Sequence, residues 1–367
     1  MSGRGHGPVA ARSERVVGGL MALWVLWGLC KRHAHGVSMR KFSLARGAAS
    51  LAAVLACAAM ASGTAFAENY PSRPVTIVVP ASAGTGADIV ARQIADGLGK
   101  LWGQSVVVEN KDGASGTIGA NIVARAAPDG YTLCMAFLNH AIAPALYSDI
   151  PYDLTRSFTP IVRTSLAPMA FIANPGFGAD TLPELIDMAR RPGQPVIFFG
   201  SPGVGSVNGL SMEMLKAKTG IHLTQVPYKG NAQMVTDVMG NQVPLGVAVI
   251  GAVLPQVRAG KLKVLAVTSA KRSSNLPDVA TVAEAGVQGY DVSAWNGLLA
   301  PAKTPPAVVE KIYRDVSTVV NSPDFVARLQ AQSLEPALLD PQAFSRFLAS
   351  ELKQWAQVVK EAGVKAE

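Results

Sequence analysis

The stretch Val75-Thr76-Ile77-Val78-Val79-Pro80-Ala81-Ser82-Ala83-Gly84-Thr85-Gly86 decides the fold. Its first five residues, apolar and mostly β-branched, read as a strand that Pro80 ends. Ala81 to Gly86 reads as a loop of small residues. Val90, Ile94, Leu98 and Leu101 then recur at helical spacing, and Val106-Val107-Val108 reads as the next strand. This is a βαβ unit. Its loop lies at the C-terminal end of a parallel strand, where open α/β sheets usually bind their ligands.

Working outward, a second version starts at Pro195-Val196-Ile197-Phe198-Phe199. It passes through Gly200-Ser201-Pro202-Gly203-Val204-Gly205-Ser206 into a helical stretch with Leu210, Met214 and Leu215. Runs at 131–137, 243–250 and 262–268 supply further strands. The C-terminal third reads as mostly helical. Thr304-Pro305, Ser322-Pro323 and Asp340-Pro341 each set a capping side chain before a proline suited to a first helical turn. Thr181-Leu182-Pro183-Glu184 has the form of a capping box. Phe344, Phe347, Leu348, Leu352, Trp355 and Val359 form one apolar stripe, as a core-facing helix requires.

The chain has 367 residues, a formal net charge of +8, 49% hydrophobic and 16% charged residues. That length points to two domains, and the composition excludes a disordered or collagen-like chain. The basic excess is local: residues 1–67 hold eight Lys or Arg and one acid, Glu14, leaving the remaining 300 residues at +1. With 6% aromatic residues as well, the body has no nucleic-acid-binding character. Met39-Arg40-Lys41, the uncharged run from Gly47 and Ala65-Phe66-Ala67 follow the order of a secretory signal, so 39–67 is expected to be a leader cleaved after Ala67. Residues 1–38 are expected to be an extension upstream of the true start at Met39. Val54-Leu55-Ala56-Cys57 is a weaker, lipoprotein-like cleavage pattern. Past the leader only Cys134 remains, in an apolar strand, so no internal disulfide is expected.

Enzyme chemistry finds little support. The body holds two histidines, His140 and His222, and no CxxC, HxxxH or GxSxG motif, so no metal and no catalytic residue is assigned. Gly84-Thr85-Gly86 opens a helix as a dinucleotide loop would, with Glu109 placed like a ribose-binding acid. Ile89 stands where the third glycine belongs, however, and the loop from Pro80 is long. An exported α/β enzyme of nucleotide-cofactor or hydrolase type, using this loop, is the competing reading; no cofactor is expected. A Gly/Ser/Thr loop at a helix N-terminus instead presents unpaired N–H groups that can hold an anion without a charged side chain. Two such loops facing across a cleft would clamp a small carboxylate from both sides.

The residues also carry a family resemblance. Tyr70-Pro71-Ser72-Arg73-Pro74, Val108-Glu109-Asn110, Ala127-Pro128-Asp129-Gly130-Tyr131-Thr132, Val226-Pro227-Tyr228-Lys229-Gly230, Ala259-Gly260-Lys261-Leu262, Leu265-Ala266-Val267-Thr268-Ser269-Ala270-Lys271-Arg272 and Leu299-Ala300-Pro301 occur in order. The chain from 68 to 367 resembles the Bug family, extracytoplasmic solute receptors of tripartite tricarboxylate transporters. The resemblance implies a type II periplasmic-binding-protein fold: two α/β lobes, a hinge and a ligand cleft. The lobes would be 68–170 with 294–367, and 171–293. It further implies a monomeric periplasmic receptor that captures a small organic carboxylate for two integral membrane subunits or for sensing.

Carried over residue by residue, the resemblance assigns Ser82, Ala83, Gly84, Thr85, Gly86 and Asp88 to the ligand site, with Asn139 and His140 beside them. The second lobe would give Ser201, Gly203, Gly205, Ser206 and Asn208, then Tyr228, Lys229 and Gly230, while Trp295 and Asn296 lie where the chain returns. Asp88 stands open between capping its helix and meeting the ligand, and Trp295 between core and cleft. Three departures matter: Ala81 where the family has an aromatic wall, Ala248 where Asp or Asn is frequent, and Gly209 where His is frequent. They imply a ligand bulkier than a simple dicarboxylate.

Overall fold

A computed structural model describes residues 70–203 and 205–364. The 1–38 extension and the 39–67 leader, Cys57 included, lie outside the described residues. The first unit is as the sequence reads. Strand β1 (Val75–Val79) leads into helix α1 (Gly86–Trp102), and β2 (Val106–Asn110) pairs with β1 in parallel. Thr85 caps α1 by accepting from Asp88 N–H, and Gly103 ends it in the left-handed region at φ 63°. A short 3₁₀ turn and α2 (Thr117–Ala124) connect to β3 (Thr132–Phe137), which lies parallel to β1 on its other side; α3 (Asn139–Leu146) follows.

The longest strand, β4 (Phe158–Ala173), joins two parts of the sheet. Phe158 to Pro168 pairs antiparallel with β9 (Ser293–Pro301), which also flanks β3. From Met169 to Ala173 the partner becomes β7 (Leu245–Val249), which runs parallel to β5 (Ile197–Ser201), itself parallel to β6 (Leu223–Pro227). The order is β2-β1-β3-β9-β4-β7-β5-β6, with β8 (Lys263–Val267) and β10 (Glu335–Leu339) also pairing with β4. Helices α4 (Leu182–Ala189), α5 (Val207–Thr219), α6 (Asn231–Met239) and α7 (Ile250–Arg258) accompany the second part. Helices α8 (Pro306–Val320), α9 (Pro323–Gln330) and α10 (Pro341–Ala362) complete the chain.

The expected caps hold at Thr181, Ser322 and Asp340, each accepting from a first-turn N–H. Thr304 differs. Its hydroxyl donates back to Pro301 O at 2.8 Å, and α8 starts one residue later with Pro305 at the cap position. The C-terminal third also carries two strands, β9 and β10, that the helical reading passed over. Along α10, Phe344, Leu348, Trp355 and Val359 are buried as the stripe requires, and the acid Glu351 is buried among them. Cys134 is fully buried on β3, and burial pushes its thiol pKa up, so it packs as a small hydrophobe.

Candidate functional site

Five strand-to-helix junctions of the sheet deliver helix N-termini that converge on one cavity. A cavity of about 490 Å³ is lined by Thr85, Gly86 and Ala87 at the start of α1, and by Ser115 and Gly116 just before α2. Asn139 opens α3, Val207 opens α5, and Gly251 lies in the first turn of α7; all three line the same cavity. First-turn N–H groups have no intrahelical acceptor, and each helix adds a partial positive charge at this end. A second cavity of about 230 Å³ shares Ser115, Asn139 and Val207 with the first and reaches Gly205, Ser206 and Asn208.

The rest of the wall is mostly apolar: Pro80, Ala81, Ile89, Phe137, Val249 and Leu334 among others. Among the described lining residues the one ionisable side chain is Asp112, which takes a hydrogen bond from the Ser82 hydroxyl across the mouth of the first loop. No lysine or arginine lines the cavity among the described residues. An anion here would rest on backbone N–H groups, hydroxyls and amides.

The residues singled out from the sequence divide into three sets. Ser82, Thr85, Gly86, Asn139, Trp295 and Asn296 line the large cavity, and Gly205, Ser206 and Asn208 line the smaller one. Asp88, His140, Ser201 and Gly203 instead build the loops from behind. Asp88 is 3% exposed and accepts from Gly84 N–H (2.9 Å), Arg92 Nε (3.0 Å) and Asn110 Nδ2 (2.9 Å). Burial alone would raise its pKa, yet these bonds outweigh it and hold the carboxyl below the usual range. Asp88 therefore ties loop to helix and lines neither cavity. His140 is 1% exposed, and burial pushes its pKa down to about 4, so the ring is neutral, with Nδ1 against the backbone of Phe137 at 3.0–3.1 Å. Ser201 donates to Gly203 O (3.1 Å) and accepts from Gln225 Nε2 (2.5 Å), while Ser206 caps α5 by accepting from Gly209 N–H (3.1 Å).

Ala83, Gly84, Tyr228, Lys229 and Gly230 line neither cavity; Lys229 is exposed, and the Tyr228 ring covers Gly200. Asn208 lines the smaller cavity, yet its amide is engaged with Val247 O at 2.6 Å. Asn296 donates to Ser165 Oγ at 3.2 Å. Trp295 is both core and wall. It lines the cavity, donates Nε1–H to Glu351 Oε2 (2.9 Å) and packs edge-on against Phe344 and Phe347. Sequence reading missed Asp112, Ser115, Gly116 and Gly251. The turn after β2 and the Val249-Ile250-Gly251 junction after β7 have the same strand-to-helix form as the first loop, and that form could have flagged them. Gln332 and Leu334 carried no such signal, since only tertiary contact brings them to the wall.

Comparisons with known proteins identify the family and the fold. Residues 90–364 match the model of the tripartite tricarboxylate transporter family receptor. Protein BugT of Bordetella pertussis is 34% identical over 302 residues, covering 82% of this chain and 92% of the relative. The structure of periplasmic binding protein BugD is 36% identical with a TM-score of 0.65, covering 81% of this chain and all (100%) of that one. R. palustris Rpa4515, solved with adipate, is 35% identical with a TM-score of 0.67 over 81% of this chain and 99% of its own.

Proposed function

The chain belongs to the tripartite tricarboxylate transporter receptor family, and from that premise we propose that its cavity captures a small organic carboxylate. It is a solute-binding receptor and not an enzyme, with the α/β fold of the periplasmic solute-binding proteins. The observation that carries the ligand class is the convergence of five helix starts on one cavity that no lysine or arginine lines among the described residues. Adipate in the R. palustris relative is one small organic carboxylate held by a protein of this family. Both cavities together, with the small side chain of Ala81 on the first loop's wall, favour a ligand bulkier than succinate.

Two lobes, 68–170 with 294–367 and 171–293, would close on that ligand. This is supported by the change of β4's partners between Pro168 and Met169, the one long strand passing from one part of the sheet to the other. The receptor would act as a monomer in the periplasm after cleavage behind Ala67, handing its ligand to two integral membrane subunits or to a sensor. Among the described residues no helix is long and apolar enough to cross a membrane.

The test is to purify the exported protein and identify any co-purified small molecule by mass spectrometry, followed by a thermal-shift screen of carboxylates. A ligand at 100 times its dissociation constant adds about 2.7 kcal/mol. A shift with at least one carboxylate is expected; none across aliphatic and aromatic acids would overturn the reading. N-terminal sequencing should begin at Glu68, and a peptide from 1–38 would exclude Met39 as the start.

A further inference from the structure

We propose that Asp112 determines specificity at this site, favouring carboxylates whose other end carries a hydrogen-bond donor or a positive charge and disfavouring those that end in a second carboxylate. The inference rests on the reading of the cavity as a carboxylate site and names the subclass of ligand. Asp112 follows β2, in the turn that leads to Ser115 and Gly116, and it lines the cavity together with Ser82. The Ser82 hydroxyl donates to its Oδ2 and Gly113 N–H to its Oδ1 at 2.7 Å, which fixes the carboxylate at the wall. These bonds, the Ser82 hydroxyl first, hold its pKa below the usual range, so it is ionised at neutral pH.

Among the described residues Asp112 forms no ion pair: Lys111 pairs with Glu109 at 3.2 Å, and Arg92 is committed to Asp88 at 2.9 Å. A carboxylate has about four acceptor positions, and Ser82 and Gly113 use two. What remains is an acceptor-only group facing a space whose other polar features are neutral. A ligand carboxylate is matched by the helix starts at Asn139, Val207 and Gly251, where no acid lines the wall. A second carboxylate brought to Ser82–Asp112 meets a like charge, whereas a hydroxyl or ammonium there completes a charge-assisted hydrogen bond.

The experiment measures affinity of the exported receptor by titration calorimetry for two pairs matched in length: succinate against 4-aminobutyrate, and adipate against 6-aminohexanoate. The same titrations are run on Asp112→Asn, which keeps an acceptor for Ser82 without the charge, and on Asp112→Glu, which keeps the charge. The wild type is expected to bind the amino acid of a pair at least about threefold more tightly than the dicarboxylate, the size of a partly exposed charge pair. Asp112→Asn should abolish or invert that order, Asp112→Glu should retain it, and 0.5 M salt should shrink it. Equal or tighter binding of the dicarboxylates by the wild type, or a preference that Asp112→Asn or salt leaves unchanged, would overturn the inference while leaving the carboxylate site standing. Should Asp112→Asn fail to fold, the wild-type order and its salt dependence decide. Failure of all four acids to bind would overturn the inference, whereas the carboxylate reading itself falls only if no aliphatic or aromatic acid of the wider screen binds.

Discussion

Trp295 on β9 donates its indole N–H to Oε2 of Glu351 on α10 at 2.9 Å, and Trp355 donates to that same oxygen at 3.2 Å. Trp295 is part of the cavity wall, so the C-terminal helix fixes a surface that the ligand would touch. Burial pushes the Glu351 carboxyl up, against the two indole bonds that favour its charge.

Removing this acceptor has a defined cost. Glu351→Leu strands two buried indole donors, each worth about 1–3 kcal/mol when unpaired, so a loss of about 2–6 kcal/mol is expected. Glu351→Gln keeps a carbonyl acceptor and should lose about 1 kcal/mol or less. Urea denaturation at pH 7 measures both. A Leu variant as stable as the Gln variant would show that the bonds do not hold Trp295.

His140 sets a pH dependence whose sign follows from its burial. Its native pKa of about 4 lies below the ordinary 6.5, so between those values the unfolded chain binds the proton and the native one does not. Its contribution is fully present above pH 6.5 and is lost as pH falls toward 4. The span corresponds to about 3 kcal/mol. Glu351 and Asp291 act the other way, because burial raises both carboxyls and the native state gains protons first as pH falls. Stability measured from pH 7 to 4.5 should therefore fall more steeply in the wild type than in His140→Gln, and parallel curves would contradict the assignment.

Two loop glycines should respond differently to alanine. Gly116 has φ +92°, and a Cβ there would lie 3.0 Å from Pro80 O, 3.1 Å from His140 Nε2 and 3.2 Å from Phe137 Cζ. Gly84 has φ +82° but open space around it. Gly84→Ala should cost about 1 kcal/mol of backbone strain. Gly116→Ala should cost about 1–3 kcal/mol and also weaken ligand binding, because Pro80 and Phe137 belong to the wall. Thermal melts with and without ligand separate the two effects.

What could be read from the sequence followed local chemistry. The run Val75–Val79, its loop and the helix after it were legible because β-branched residues, small residues and helical spacing succeed one another without interruption. Strands β4 and β9 were not, since Pro160 and Pro168 interrupt one, and Asn296-Gly297 the other. Gly297 is there because a Cβ would come within 2.5 Å of the Phe344 ring on α10, a contact no local pattern announces. The site divides the same way. Ser82, Thr85 and Gly86 were visible as a loop at a strand end, but whether Asp88 faced the ligand depended on Asn110, 22 residues away. Gly209, marked as a departure, turns out to be where a Cβ would press on Gln225 Nε2 and Ser201 Oγ, both at 3.0 Å.

The decisive measurement is calorimetric titration of a carboxylate panel into the exported receptor and into its Gly86→Met variant. Gly86 opens α1 at the cavity wall with nothing within 4 Å of a Cβ placed on it, so the longer side chain should fill the cavity without disturbing the fold. If helix starts around this cavity hold the ligand, at least one carboxylate binds the wild type at a single saturable site. The variant then melts at the wild-type temperature and binds that acid at least tenfold more weakly, about 1.4 kcal/mol. No binding by any acid, or binding that Gly86→Met leaves untouched, would contradict it.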